Sequence, residues 1–281
     1  IGELKQVSSP YAAPGIVAVR NSDHWYTLRL PAAPEGASPV SKLDAARLSE
    51  LVLGPILGIH DLRTDPNITF IPGINGTRAL DEIVSKTRTV EEIQALYDLG
   101  HRAFGENYPQ EVRDKQALLP ADIEWHFIGH LQSNKVKYIA PFIHLVHAVD
   151  GEKLLNEIQK RASSAERTID VLLQVHIAEE ETKHGLNNQE IGLLLENDLA
   201  AKWPNVRIRG LMGMATNTEN ELSVSKEFAE LNELFLSLRT NNDVDPTLFS
   251  ELSMGMSGDA QLAIANGSTM VRIGTAIFGE R

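Results

Sequence analysis

Three features of this sequence carry chemical content. They are a lone amine, a glycine- and serine-containing turn that runs into a helix, and an arginine just ahead of a Gly-Thr pair. The amine is Lys86 in VSKT (84–87), the turn is SMGMSGD (253–259), and the arginine is Arg272 in VRIGT (271–275). A lysine kept out of water and near cations is a nucleophile toward carbonyl carbon. Backbone N–H groups in such a turn, followed by the positive end of a helix, suit a phosphate. A guanidinium is a permanent cation. Glu106-Asn107 and Gly129-His130 lie at the ends of further apolar runs. The set contains almost no acid–base pair, and GxSxG is absent, which speaks against a serine hydrolase. Each feature also has an ordinary explanation: Lys86 as a solvated strand end, and Ser257 or Asp259 as a plain helix N-cap.

These residues have to be positioned by something, and from about residue 83 the pattern is regular. Strand-like runs are IVS (83–85), AFGE (103–106), WHFIG (125–129), HLVHAV (144–149), IDVLLQVHI (169–177), RIRGLMGM (207–214), ELSMG (251–255) and MVRIGTAIFG (270–279), with a helical stretch in every gap. The first of these helices is typical. Thr89 caps it, Glu91 and Glu92 suit the positive end of its dipole, and Gly100 ends it. Its Val90, Ile93, Leu96 and Tyr97 share a face. Eight alternations in such a length predict a (β/α)8 TIM barrel, with an open doubly wound sheet of six or seven strands as the alternative. In a barrel of this kind, Lys86, Glu106-Asn107, Gly129-His130, Ser257 and Arg272 all fall at or near the C-terminal strand ends, where such folds build their sites.

Composition narrows the function further. The chain has 281 residues and a formal charge of −12, a poor match for binding nucleic acid through phosphate neutralisation or for lying on an anionic membrane. It contains no cysteine, which removes disulfides, zinc–thiolate sites, iron–sulfur clusters and thiol nucleophiles. No apolar run approaches the ~20 residues needed to span a bilayer, and no leader opens the chain, so a cytoplasmic location is expected. Nine histidines are present, but His144 and His147 lie three apart in a strand-like run and should face opposite sides, with no carboxylate cluster beside them. No metal site is expected.

The runs VSKT (84–87), GHRAFGENYPQE (100–111), WHFIGHLQSNKV (125–136), LLQVHIAEEETKHG (172–185), GLMGMA (210–215), LSMGMSGD (252–259) and GSTMVRIGTAIFGER (267–281) together resemble the pyridoxal-phosphate homeostasis protein family, in order and in spacing. The resemblance implies a barrel of the alanine racemase type. It also implies pyridoxal 5′-phosphate as cofactor, held as an aldimine on Lys86. Ser257, Gly274 and Thr275 match the family's phosphate-binding positions, Arg272 matches the arginine beside the pyridine nitrogen, and Asn107 and His126 match residues lining the pocket. A cation against that nitrogen disfavours its protonation and weakens the ring as an electron sink. The implied role is that of a carrier or regulator in vitamin B6 and amino-acid homeostasis, with no catalytic residue. Its partners would be the small-molecule cofactor and the apoenzymes that use it, and the protein would be a monomer or weak dimer. The alternative within the fold is an amino-acid racemase or lyase. A racemase also draws a second base from an extra β-domain, and no such domain is expected after the last strand.

Two departures from the family pattern stand out. His176 replaces a usual Asn, and Asp81 and Glu82 replace apolar residues ahead of Lys86. Carboxylates in a strand buried on both faces are costly, so the first barrel strand is expected to begin only at Ile83. Residues 1–82 differ in character. They hold eight of the 13 prolines and resemble, in part, a bacterial family of unknown function. Here VAVR and HWYTLRL read as a hairpin around Asn21-Ser22-Asp23, Leu43 to Leu57 as a helix, and NITFIP (67–72) as a strand. The expected organisation is a small α+β module or fragment at 1–82 and a cofactor-binding barrel at 83–281. A fused or chimeric adaptor with a passive barrel is the third functional alternative.

Overall fold

The computed structural model describes residues 4–7, 16–21, 24–32, 48, 51, 80–178, 180, 184–196, 199–240 and 244–278. The chain divides into two compact units. One comprises Pro72–Thr87 and Ala103–Ile273, and the other comprises Ile1–Ile71, Arg88–Arg102 and Gly274–Arg281.

In the second of these units, β1 (Leu4–Val7), β2 (Ile16–Asn21) and β3 (His24–Arg29) form a three-stranded antiparallel sheet in the order β1-β3-β2. Asn21 pairs with His24, so the predicted hairpin is present, while β1 had no counterpart in the sequence reading. The helix expected at 43–57, apart from Leu48 and Leu51, and the strand NITFIP lie outside the described residues. The same unit holds α1 (Val90–Asp98), closed at its start by a reciprocal capping box between Thr89 and Glu92, with Ile93 and Leu96 buried as the sequence periodicity requires. Its chain reverses at Gly100, where φ is +97°.

The larger unit contains a closed parallel barrel of eight strands: β4 (Leu80–Val84), β5 (Ala103–Glu106), β6 (Glu124–Phe127), β7 (Leu145–Val149), β8 (Ile169–Val175), β9 (Val206–Gly213), β10 (Glu251–Met256) and β11 (Met270–Ile273). Each strand pairs with the next in the chain, and β11 closes on β4. A helix occurs in every connection. After α1 come α2 (Pro109–Gln116), α3 (Val136–Ile139) behind a short 3-10 turn, α4 (Glu152–Ser164), α5 (Asn188–Leu195) and α6 (Leu199–Lys202), α7 (Glu221–Thr240), and α8 (Ala260–Ala265). The fold is a (β/α)8 barrel, as expected. Its interior is apolar where Leu145, Ala148, Leu172, Met212 and Met270 pack together.

Two boundaries differ from the sequence reading. The first barrel strand starts at Leu80, not at Ile83, and Asp81 and Glu82 pair with Val271 and Arg272 of β11. That ladder is made of main-chain groups, which have to be partnered for the barrel to close whatever side chains they carry. At the other end β11 stops at Ile273, and TAIF, read as strand from its β-branched and aromatic content, is the short helix α9 (Thr275–Phe278), whose first turn bonds to the Gly274 carbonyl. Among the described residues, no helix is long and apolar enough to cross a membrane.

Candidate functional site

Lys86 is the middle residue of a short segment that is gripped on both sides. Before it, the Ser85 side chain is fully buried. Its hydroxyl donates to Glu106 Oε1 at 2.7 Å, and its carbonyl accepts from Lys115 Nζ at 2.9 Å. After it, Thr87 adopts a left-handed backbone with φ of 62°, and its N–H donates to Glu111 Oε1 at 2.7 Å. A β-branched residue pays for that conformation and keeps it only where its surroundings impose it. Lys115 ties the two anchors together, donating at 2.6 Å to both Glu106 and Glu111. The helix α2 thereby fixes the backbone of Lys86 through neighbours that the sequence reading did not single out for this work. Lys86 itself is half-buried and takes no hydrogen bond or ion pair from the described residues.

Glu106 is the buried member of that clamp. Burial pushes its carboxyl above the ordinary value, against the opposing pull of Lys115 and the Ser85 hydroxyl. Its second oxygen, Oε2, is buried without a hydrogen-bond partner, and so is Oδ1 of the next residue, Asn107. Val84 pairs with Gly105 across β4 and β5, so Lys86 and Asn107 stand two residues beyond a paired position on neighbouring strands. Gly129, after β6, approaches the same place. A Cβ there would come within 2.8 Å of the Asn107 carbonyl, and only glycine permits that approach.

Across the barrel interior a second group of polar side chains is wholly buried. Arg272 donates from Nη1 to Ser253 Oγ at 2.6 Å and from Nη2 to the Gly213 carbonyl at 3.2 Å. Ser253 Oγ meets His147 Nδ1 at 3.1 Å, and His147 Nε2 meets His126 Nδ1 at 3.2 Å. Arginine can only donate, so Ser253 Oγ accepts from Arg272. The His147 ring links that hydroxyl to His126. Five strands (β11, β10, β9, β7 and β6) thus hold Arg272 in one position. The His126 ring also lies parallel to that of His144, with centroids 5.6 Å apart. His144 and His147 therefore both touch His126, contrary to the sequence expectation of opposite faces, because β7 begins only at Leu145 and His144 lies ahead of the strand. Glu124 accompanies His126 and His144, so a carboxylate is present after all. Burial foremost, and then the neighbouring His126, lowers the pKa of His144.

Ser257 lies in the turn between β10 and α8, and Asp259 is the N-cap residue. The Asp259 carboxylate accepts from the Met256 N–H at 2.5 Å, bracing the turn instead of bonding into the helix. Gly274 and Thr275 follow β11 directly in the chain. His176, the departure just after β8, is half-buried and donates from Nε2 to the Glu180 carbonyl at 3.0 Å. Within the larger unit the structure therefore brings Arg272 and His126 into one buried network and places Lys86 and Asn107 on adjacent strand ends. Ser85, Glu111, Lys115, Ser253 and His147 are the supporting residues. Of these, only the i,i+4 spacing of Glu111 and Lys115 signalled a contact in advance.

Comparison with known proteins agrees with this geometry. The family model for the N-terminal domain of alanine racemase matches residues 85–281. The pyridoxal phosphate homeostasis protein of Aquifex aeolicus is 43% identical over 198 residues, covering 70% of this chain and 85% of that protein. PipY of Synechococcus elongatus, solved with pyridoxal phosphate bound, superimposes with a TM-score of 0.63 at 32% identity, covering 71% of this chain and 93% of PipY. The alanine racemase of Bartonella henselae shares the fold at 16% identity, with a TM-score of 0.53 and coverage of 71% of this chain and 58% of the racemase. On the barrel and these matches, the chain belongs to the alanine racemase N-terminal domain family and, within it, to the pyridoxal phosphate homeostasis proteins.

Proposed function

We propose that this protein binds pyridoxal 5′-phosphate and serves the homeostasis of that cofactor and of amino acids, without turning over a substrate of its own. The observation that carries the reading is the Lys86 amine, unengaged among the described residues, on a backbone clamped from both sides by Ser85, Glu111 and Lys115. The residues present fit the cofactor. Asn107 Oδ1 is a buried acceptor lacking a donor, as a site for a polar ligand leaves it, and the guanidinium of Arg272 is braced by Ser253 and the Gly213 carbonyl. When bound, pyridoxal phosphate supplies an aldehyde that condenses reversibly with a lysine amine and a pyridine ring that withdraws electrons.

The chain's own residues then have distinct tasks. Lys86 Nζ binds the aldehyde carbon. Asn107 and His126 line the ring, and Ser257, Gly274 and Thr275 bind the phosphate, positions carried by the family pattern. Arg272 presents a cation that keeps the ring nitrogen unprotonated, which weakens carbanion chemistry and favours holding the cofactor over using it.

The test is spectroscopic and isotopic. Purified protein supplied with pyridoxal phosphate should turn yellow and stay so after gel filtration. A panel of L-amino acids in deuterated water should show no enzyme-dependent exchange of the α-proton. A protein that stays colourless removes the binding reading, and rapid α-proton exchange replaces the carrier with an enzyme.

A further inference from the structure

Two groups of side chains outside the cofactor clamp bring metal-ligating atoms within 4.8 Å of one another: Glu124 with His126 and His144, and His130 with Asp150 and His184. Their surroundings separate them. His126 Nδ1 is already engaged, 3.2 Å from His147 Nε2 in the buried chain that leads to Arg272. Breaking that arrangement would undo the chain that holds Arg272.

The second group has no such conflict. We propose that His130, Asp150 and His184 form a binding site for a divalent transition ion of the Zn2+ class. The three residues follow β6, β7 and β8, consecutive strands of the barrel, so one wall of its C-terminal mouth supplies all the ligands. His130 Nδ1 lies 3.6 Å from Asp150 Oδ2. The His130 and His184 rings stack at 4.5 Å with 20° between their planes. Ligand atoms about 2.0–2.2 Å from one zinc ion stand in this range of mutual separation, and small rotations of exposed rings bring the rest into place. Two imidazoles and one carboxylate with open positions match borderline ions, and the chain has no thiolate to compete for them.

The backbone behind the ligands is fixed. The His184 carbonyl accepts from Gln174 Nε2 at 2.7 Å. Leu186 bonds back to Gln174 of β8 and to His176 just after it. Gly185 between them has φ of +150°, and a Cβ there would meet His176 N at 2.4 Å. On the other side, Ile128 donates to the Glu106 carbonyl two residues before His130. Asp150 immediately follows β7. Exposed side chains on a fixed frame are what an entry site for an ion requires.

The site is tested on the full chain, freed of purification tags and stripped of metal, by titrating Zn2+ against a chromophoric chelator. The expected result is one competing equivalent. Asp150→Asn and His184→Ala should each weaken it at least ~10-fold while leaving the far-ultraviolet circular dichroism unchanged, and His144→Ala should have no effect. Absence of a competing equivalent would overturn the proposal. So would affinity retained in both Asp150→Asn and His184→Ala, or affinity lost in His144→Ala, which would place the ion on the other group. None of these outcomes depends on whether pyridoxal phosphate binds.

Discussion

Lys115 answers for two carboxylates and one carbonyl around the Lys86 segment, and it does so almost out of contact with water. Removing one partner of a buried ion pair leaves the others uncompensated and typically costs about 3–5 kcal/mol. Lys115→Met should therefore lower unfolding free energy by about 3 kcal/mol in denaturant titrations, and should weaken cofactor retention with Lys86 intact. A variant as stable as the parent would show that the clamp is not built as described. Glu106 adds a pH dependence of definite sign. Its folded value lies above the ordinary 4.5, so the folded state holds the extra proton between the two values. Its contribution to stability is greatest below pH 4.5 and is lost as pH rises through the folded value. Carboxyl NMR should find this residue titrating above 4.5, and a value at or below that would contradict the geometry. The motif VSKT marked the lysine in the sequence. The residues that aim it were hidden because their partners lie 20 to 30 positions away along the chain.

At the scale of elements, the start of α1 was readable from Thr89 and the acidic first turn, since a capping box is a local pattern. Thr89→Ala should cost about 0.5–2 kcal/mol of stability, read from the denaturation midpoint, because the Glu92 N–H loses its partner; no change would mean that α1 is held by packing alone. The strand edges were less readable. Asp81 and Glu82 argued against a strand by polarity, yet β4 includes them because its ladder with β11 closes the barrel through backbone groups. TAIF has the residue types of a strand, but helical hydrogen bonds to the Gly274 carbonyl outweigh that preference. Likewise His144 sits one residue outside β7, where the twofold alternation of a strand no longer applies.

At the scale of the whole molecule, eight alternations of strand and helix were enough to predict the barrel, since few other folds place parallel strands at such spacing. The network from Arg272 to His126 was not foreseeable, because four strands distant in sequence have to meet in the closed barrel before those side chains touch. The proposed function rests on a single covalent possibility in that barrel. It is tested most directly by treating the pyridoxal phosphate-loaded protein with borohydride, digesting it, and locating the added mass. One modified peptide, carrying the reduced cofactor on Lys86, is the predicted result. Label on another lysine, or no stable label at all, would contradict it.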